Sequence, residues 1–172
     1  SGHFEMRSAL TLCSIRRIAF SVIASCAAVT SLLAQQPPFQ HELVLDGLAV
    51  PTSATFLPNG RMLITSLYGT VWITSPVNQP PVTYSVYLEL PNLNNSAEHG
   101  LMEVVLDPDF ASNNYIYLYY STTANKNRVS RFLHQGTTAS LASETVIFET
   151  PDTFSNCCHV GGAMAFANDG HI

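Results

Sequence analysis

Positive charge is scarce in this sequence. Lysine occurs once, at Lys126, and seven Lys and Arg residues face twelve Asp and Glu, a formal net charge of −5. Arg7, Arg16 and Arg17 all lie near the N-terminus, so beyond residue 34 four basic side chains remain against eleven acids, a charge of −7. No basic patch is left to meet a phosphate backbone, which argues against nucleic acid as a partner. A single lysine also argues against Schiff-base chemistry. The sequence has no Gly-x-Ser-x-Gly elbow, no Gly-rich phosphate loop and no His-Glu-x-x-His. Its one apolar run, Ile18 to Val29, is too short and too often broken by hydroxyl residues for a membrane span. No stretch repeats its apolar residues at helical period over a useful length.

That apolar run does have a reading. After Ser1 to Glu5, which look like upstream sequence, Met6 opens a basic segment, the apolar run follows, and small residues lead to Ala34. Basic, apolar, small is the order of a secretory signal, so residues 1–34 are expected to be a targeting segment and the protein periplasmic or secreted. A rival is a lipoprotein signal at Ile23-Ala24-Ser25-Cys26, with Cys26 as the lipidated residue. Beyond it the only cysteines are Cys157 and Cys158. In an oxidising compartment they form either a vicinal disulfide or two buried thiols, and the sequence leaves both open. Asp169-Gly170 signals a turn two residues before the last, so residues 35–172 are expected to be the front part of a longer domain.

From Pro51 on, short β segments alternate with turns. Strands are expected at Ser53–Leu57, Arg61–Ser66 and Thr70–Ser75, the last two joined through Leu67-Tyr68-Gly69 as a hairpin. Others are expected at Val82–Leu90, with Val82, Tyr84, Val86 and Leu88 on one face, and at Leu101–Leu106, Tyr115–Tyr120, Arg128–Leu133 and Glu144–Phe148. Phe39 to Leu48 alternates loosely and reads as a further strand. Thr55-Phe56-Leu57-Pro58-Asn59-Gly60, Val105-Leu106-Asp107-Pro108-Asp109-Phe110 and Ala165-Phe166-Ala167-Asn168-Asp169-Gly170 share one form and recur at spacings of 50 and 60 residues. A strand-rich unit at that period is a propeller blade of four antiparallel strands, so the fold class is all-β, an incomplete β-propeller of two to three blades. The alternative is a β-sandwich with chance similarity among its turns.

One stretch carries the chemistry. Cys157-Cys158-His159-Val160-Gly161-Gly162 reads as a polar loop delivering one imidazole to a Gly-Gly corner, followed by a short apolar strand. Glycines let backbone approach a ligand closely, so His159 is the first candidate for a site, against the alternative of a loop histidine that only hydrogen-bonds its neighbours. A soft-metal site from Cys157, Cys158 and His159 is disfavoured because adjacent cysteines bite a tetrahedral ion badly.

Four stretches together resemble the glucose/sorbosone dehydrogenase family, the soluble sugar dehydrogenases that use pyrroloquinoline quinone (PQQ). They are Pro51 to Thr65, Glu98-His99-Gly100-Leu101-Met102-Glu103 through Pro108-Asp109-Phe110, Asn127 to Phe132, and His159-Val160-Gly161-Gly162 with Asp169-Gly170. The resemblance implies a six-bladed ring with its site at one end of the axis, a sugar or polyol substrate, PQQ as cofactor, and calcium held by residues beyond this sequence. It makes His159 the general base and sets Glu98, Gly100 and Gly161 at the cofactor. Glu98 stands where glucose dehydrogenases of the family carry Gln, and a carboxylate is ill suited to an anionic quinone. His99 is expected to be structural, and Glu103 to sit on the wet face of a strand. Two other readings are a propeller that binds carbohydrate or protein without catalysis, and a metal-dependent lactonase, which needs ligand carboxylates at several blade ends.

Overall fold

Two four-stranded antiparallel sheets follow one another along the chain in the computed structural model, which describes residues 41–154 and 159–172. The expected targeting segment, Cys26 and the Cys157-Cys158 pair lie outside the described residues. The first sheet is β1 (Pro51–Phe56), β2 (Met62–Ser66), β3 (Thr70–Thr74) and β4 (Tyr84–Glu89). The second is β5 (Leu101–Leu106), β6 (Tyr115–Ser121), β7 (Asn127–His134) and β8 (Ala139–Glu149). Each strand pairs with the next, so each sheet is an up-and-down meander, the blade unit expected from the repeat.

The repeated sextets close the same turn. Leu57 N–H donates to Arg61 O (2.8 Å) and Gly60 N–H to Leu57 O (3.0 Å); Asp107 N–H donates to Tyr115 O (3.0 Å) and Phe110 N–H to Asp107 O (2.9 Å). The third copy does likewise, with Ala167 N–H to His171 O at 2.7 Å and Gly170 N–H to Ala167 O at 3.0 Å. A third unit therefore opens at the same geometric point as the first two. Its leading segment is not a paired strand, since a strand needs a neighbour and none lies beside it among the described residues. The alternation is nevertheless there: Gly162, Met164 and Phe166 are half-buried against the second sheet while Ala163 and Ala165 are exposed.

The core lies between the sheets, where β5 packs on β1 and β2. Leu63, Val71, Ile73, Leu101, Val104, Ile116, Leu118 and Phe132 are all buried there. Four consecutive residues are buried in both β2 and β3, as expected of strands covered on two faces. Farther out, the Tyr87 hydroxyl shares a 2.8 Å hydrogen bond with His134 Nδ1, tying β4 to β7, and Phe110 tilts against the same imidazole. Burial pushes the Tyr87 phenol up, and burial with the Arg61 guanidinium holds His134 below the usual imidazole range.

Three expectations need correction. Residues 41–48 form no strand: Gly47 (φ +76°) and Val50 (φ +43°) turn the chain ahead of β1. In β4 the single apolar face is broken by a register shift opposite Val71 and Trp72, so Tyr87 and Leu88 are both buried while Tyr84 and Val86 are exposed. One helical turn does exist, α1 (Phe110–Asn113), too short to leave a period in the sequence. Asp107 Oδ1 nucleates it by accepting from Asp109 N–H (2.9 Å) and Asn113 Nδ2 (2.8 Å), and Asn114 ends it in the left-handed region (φ +57°).

Candidate functional site

Three connections converge at one end of the sheets: the β4–β5 loop, the β6–β7 turn and the segment leaving β8. Asn94 N–H donates to Ser121 O (3.0 Å), Thr123 N–H to Asn92 O (3.2 Å) and Phe154 N–H to Asn125 O (2.9 Å). Backbone strain gathers here. Six described residues other than glycine have positive φ, and Val50, Asn92, Ala97, Asn125 and His159 lie at this end, against Asn114 alone at the other. Such residues cost about 1–3 kcal/mol each, and such clusters are typical of functional ends.

His159 is held from both sides. Its N–H donates to Glu98 Oε2 at 2.9 Å, and the same oxygen lies 3.6 Å from its ring Nδ1. The carbonyl of Val160, the next residue, accepts from the Tyr119 hydroxyl at 2.5 Å and from Asn127 Nδ2 at 3.2 Å. Val160 is buried while the His159 side chain is 90% exposed, so a fixed backbone presents a solvent-facing imidazole. Burial raises the Tyr119 phenol, which keeps it a donor to that carbonyl. Neither Tyr119 nor Asn127 stands out in the sequence as a site residue. The available signal is the spacing of Tyr115, Tyr117 and Tyr119: alternate residues of β6 share a face, and on that face Tyr117 meets Phe166 edge-on (5.1 Å) while Tyr119 holds Val160.

Of the other candidates, Gly161 (φ +75°) follows His159 by two residues, and a Cβ there would stand 3.5 Å from the Tyr119 hydroxyl. Gly100 is accounted for by packing, because a Cβ there would meet the Leu67 carbonyl oxygen at 2.1 Å. His99 is fully buried and stacked on Phe154 with ring centroids 4.3 Å apart, and neither ring nitrogen has a partner. Glu103 is not on a wet face: it is half-buried and accepts a short hydrogen bond from Ser53 Oγ, joining β5 to β1.

The cations at this end are already paired. Arg128 Nε donates to Glu149 Oε2 at 2.8 Å, Lys126 Nζ lies 3.4 Å from Glu149 Oε1, and the Arg128 hydrogen bond holds that carboxyl below the usual range. Beside them a cavity of about 210 Å³ opens among Asn92, Tyr120, Thr122, Arg128 and Glu144. Tyr120 donates to Glu144 and shares a second hydrogen bond with Ser130, so the polar groups in this wall satisfy one another.

The family model of the glucose/sorbosone dehydrogenases matches residues 48–172. The chain belongs to that family. It is 32% identical over 150 residues to an uncharacterised protein of Synechocystis, covering 83% of this chain and 36% of the relative. It is 26% identical over 165 residues to the aldose sugar dehydrogenase YliI of Escherichia coli, covering 92% and 43%. Among solved structures, the PQQ-bound aldose sugar dehydrogenase of Streptomyces coelicolor matches with a TM-score of 0.65 at 26% identity, over 75% of this chain and 38% of that one. The chain thus spans about two fifths of the length of the curated relatives it matches. The two sheets are blades of this family's propeller. Among the described residues no three His, Cys, Asp or Glu side chains converge as a metal site, and no helix is long and apolar enough to cross a membrane.

The residues present fit part of a PQQ site. An exposed imidazole on a fixed backbone suits the proton-accepting side. The carboxylate-binding side lacks support here, since Lys126 and Arg128 are engaged with Glu149.

Proposed function

We propose that the protein is an exported PQQ-dependent dehydrogenase of aldose-type sugars, with His159 as its general base. The observation that carries this is the presentation of His159: the backbone is gripped at its N–H by Glu98 and at the next carbonyl by Tyr119 and Asn127, while the ring stays open to a ligand. A neutral imidazole accepts a hydroxyl proton at ordinary pH, so His159 would take the proton of the sugar's anomeric hydroxyl as the C–H bond is oxidised to a carbonyl. PQQ, when bound, supplies the two-electron acceptor for that hydrogen. The family resemblance assigns Glu98, Gly100 and Gly161 to the cofactor's edge, the two glycines through backbone alone, with Gly100 set in place there by its packing on Leu67. Calcium and the groups that meet the cofactor's carboxylates are assigned to no described residue. The complete ring is taken as six blades, from the family resemblance.

His159→Ala in the intact protein, loaded with PQQ and calcium and assayed with aldoses and an artificial electron acceptor, should lower turnover by about 10²–10⁴, the usual contribution of a positioned base, with cofactor uptake retained. Full turnover in that variant, or no PQQ uptake by the intact protein, refutes the reading in favour of a non-catalytic binding propeller. Export with cleavage near Ala34 is part of the proposal. Mass spectrometry of the product from the cell exterior or periplasm tests it, and an N-terminus retained at Met6 contradicts it.

A further inference from the structure

We infer that the cavity between the two sheets at the β6–β7 turn is a second binding site, one that takes a single ring of a neutral saccharide. The inference stands apart from the dehydrogenase reading, because none of Glu98, Tyr119 and Asn127, the residues that hold His159, lines this cavity.

The walls come from both blades and are fixed to each other. Pro91 and Asn92 follow β4 on one side, Thr123 and Ala124 belong to the β6–β7 turn on the other, and Arg128 of β7 and Glu144 of β8 join them. Leu93 and Thr122 form an isolated antiparallel bridge, Thr123 N–H donates to Asn92 O at 3.2 Å, and Asn94 Nδ2 donates to Asn125 Oδ1 at 2.8 Å. The space therefore exists before a ligand arrives, and binding needs little further ordering of the protein. Its volume of about 210 Å³ is below the roughly 300–1,000 Å³ of pockets that enclose drug-sized ligands, which suits one sugar ring rather than a nucleotide or a larger cofactor.

One part of the lining is settled. Glu144 Oε1 accepts from the Tyr120 hydroxyl and from Ser130 Oγ (2.8 Å), and burial, with that carboxyl beside it, raises the Tyr120 phenol and keeps it a donor. The rest keeps unused hydrogen-bonding capacity. Among the described residues no hydrogen bond uses Glu144 Oε2, the Asn92 amide or the Thr123 hydroxyl, and Arg128 gives Nε and Nη2 to Glu149 while Nη1 stays 4.0 Å from Glu144 Oε1. A carboxylate only accepts, a guanidinium only donates, and an amide or hydroxyl does both. A matching ligand must therefore donate and accept at neighbouring points and carry no net charge. A phosphate would be repelled by Glu144, and an ammonium by Arg128. Adjacent sugar hydroxyls meet the requirement, since each donates and accepts, and Pro91 with Ala124 offers the C–H face of the ring an apolar strip.

Methyl β-D-glucopyranoside is the probe, because its methylated anomeric oxygen bars oxidation at that carbon and the readout needs neither PQQ nor turnover. Titrated into the intact, cofactor-free protein labelled with ¹⁵N, it should shift the backbone amides of Asn92, Thr122, Thr123 and Arg128 saturably, with a roughly millimolar Kd. Inorganic phosphate and ammonium should leave those amides where they are. Ala124→Trp, at an exposed position, should fill the space and abolish the shifts. Glu144→Gln keeps an oxygen for Tyr120 and Ser130 but removes the charge, and should weaken binding about tenfold. The inference is overturned by an absence of glycoside shifts at these amides, by shifts confined to Gly100, Gly161 and Gly162, by an equal response to phosphate, or by wild-type affinity in either variant.

Discussion

Replacing Gly100 by alanine tests how far the close backbone approach of Gly100 to Leu67 holds the two blades together. Gly100 has φ +151°, a region that residues with a Cβ rarely adopt, and the added methyl would lie 2.1 Å from the Leu67 carbonyl oxygen and 2.9 Å from Leu67 Cδ1. The obstructing atom is backbone, in the β2–β3 turn, so a rotamer change cannot relieve the clash. The same carbonyl also accepts from Leu101 N–H at 3.1 Å, and moving it stretches that bond. Conformational strain costs about 1–2 kcal/mol, overpacking about 1–3 and the weakened hydrogen bond up to about 1. The sum is about 2–6 kcal/mol, a large share of an ordinary domain's 5–15 kcal/mol of stability. At roughly 2–4 °C per kcal/mol for a chain of this size, thermal denaturation of the intact protein should show Tm lower by about 4–24 °C. Gly136 is the control: it has φ +78° but no atom within 4 Å of where an added methyl would stand, so Gly136→Ala should cost only the strain, about 1–2 kcal/mol. Equal losses in the two variants, or a Gly100→Ala protein within about 0.5 kcal/mol of wild type, would refute the argument that this contact sets the distance between blades.

The Tyr87–His134 contact predicts a pH dependence. The folded state holds His134 below its unfolded value, so as pH falls through the unfolded imidazole value near 6.5 the unfolded chain takes up the proton first and stability drops. Denaturant midpoints between pH 7.5 and 5 should fall for wild type and fall less for His134→Gln; parallel curves would exclude His134 as a contributor. Tyr119→Phe removes one of two donors to the Val160 carbonyl, leaving Asn127. It should cost about 1 kcal/mol and raise hydrogen exchange at the His159 amide; unchanged exchange would show that Tyr119 does not hold the loop.

Much of the fold is legible in the sequence because its determinants are local. The three sextets are turns, and turn chemistry is written in a few adjacent residues, so the repeat and the four-strand unit are recognisable from the residues alone. The hairpin at Leu67-Tyr68-Gly69 is of the same kind. What escapes depends on partners distant in sequence. The faces of β4 cannot be read from β4 itself, because the shift that moves them lies in its pairing with β3. Glu103 reads as solvent-facing because nothing near it reveals that Ser53 of another sheet will meet it. At the site, His159 stands out through its glycines, whereas Tyr119, Asn127 and the approach of Glu98 become visible only when segments about 30 to 60 residues apart are brought together.

The shared turn also shows where this architecture tolerates growth. In the first unit the chain passes from the turn straight into β2; in the second, the four-residue α1 intervenes, yet Asp107 and Phe110 close the same hydrogen bond as Leu57 and Gly60. Extra residues have entered after the turn without disturbing the inner strand or its register with the next one. That point lies at the end of the sheets opposite His159. A peptide tag or a tethered electron-transfer partner grafted between Phe110 and Tyr115 would therefore lengthen the molecule on its silent side and leave the chemical end as it is.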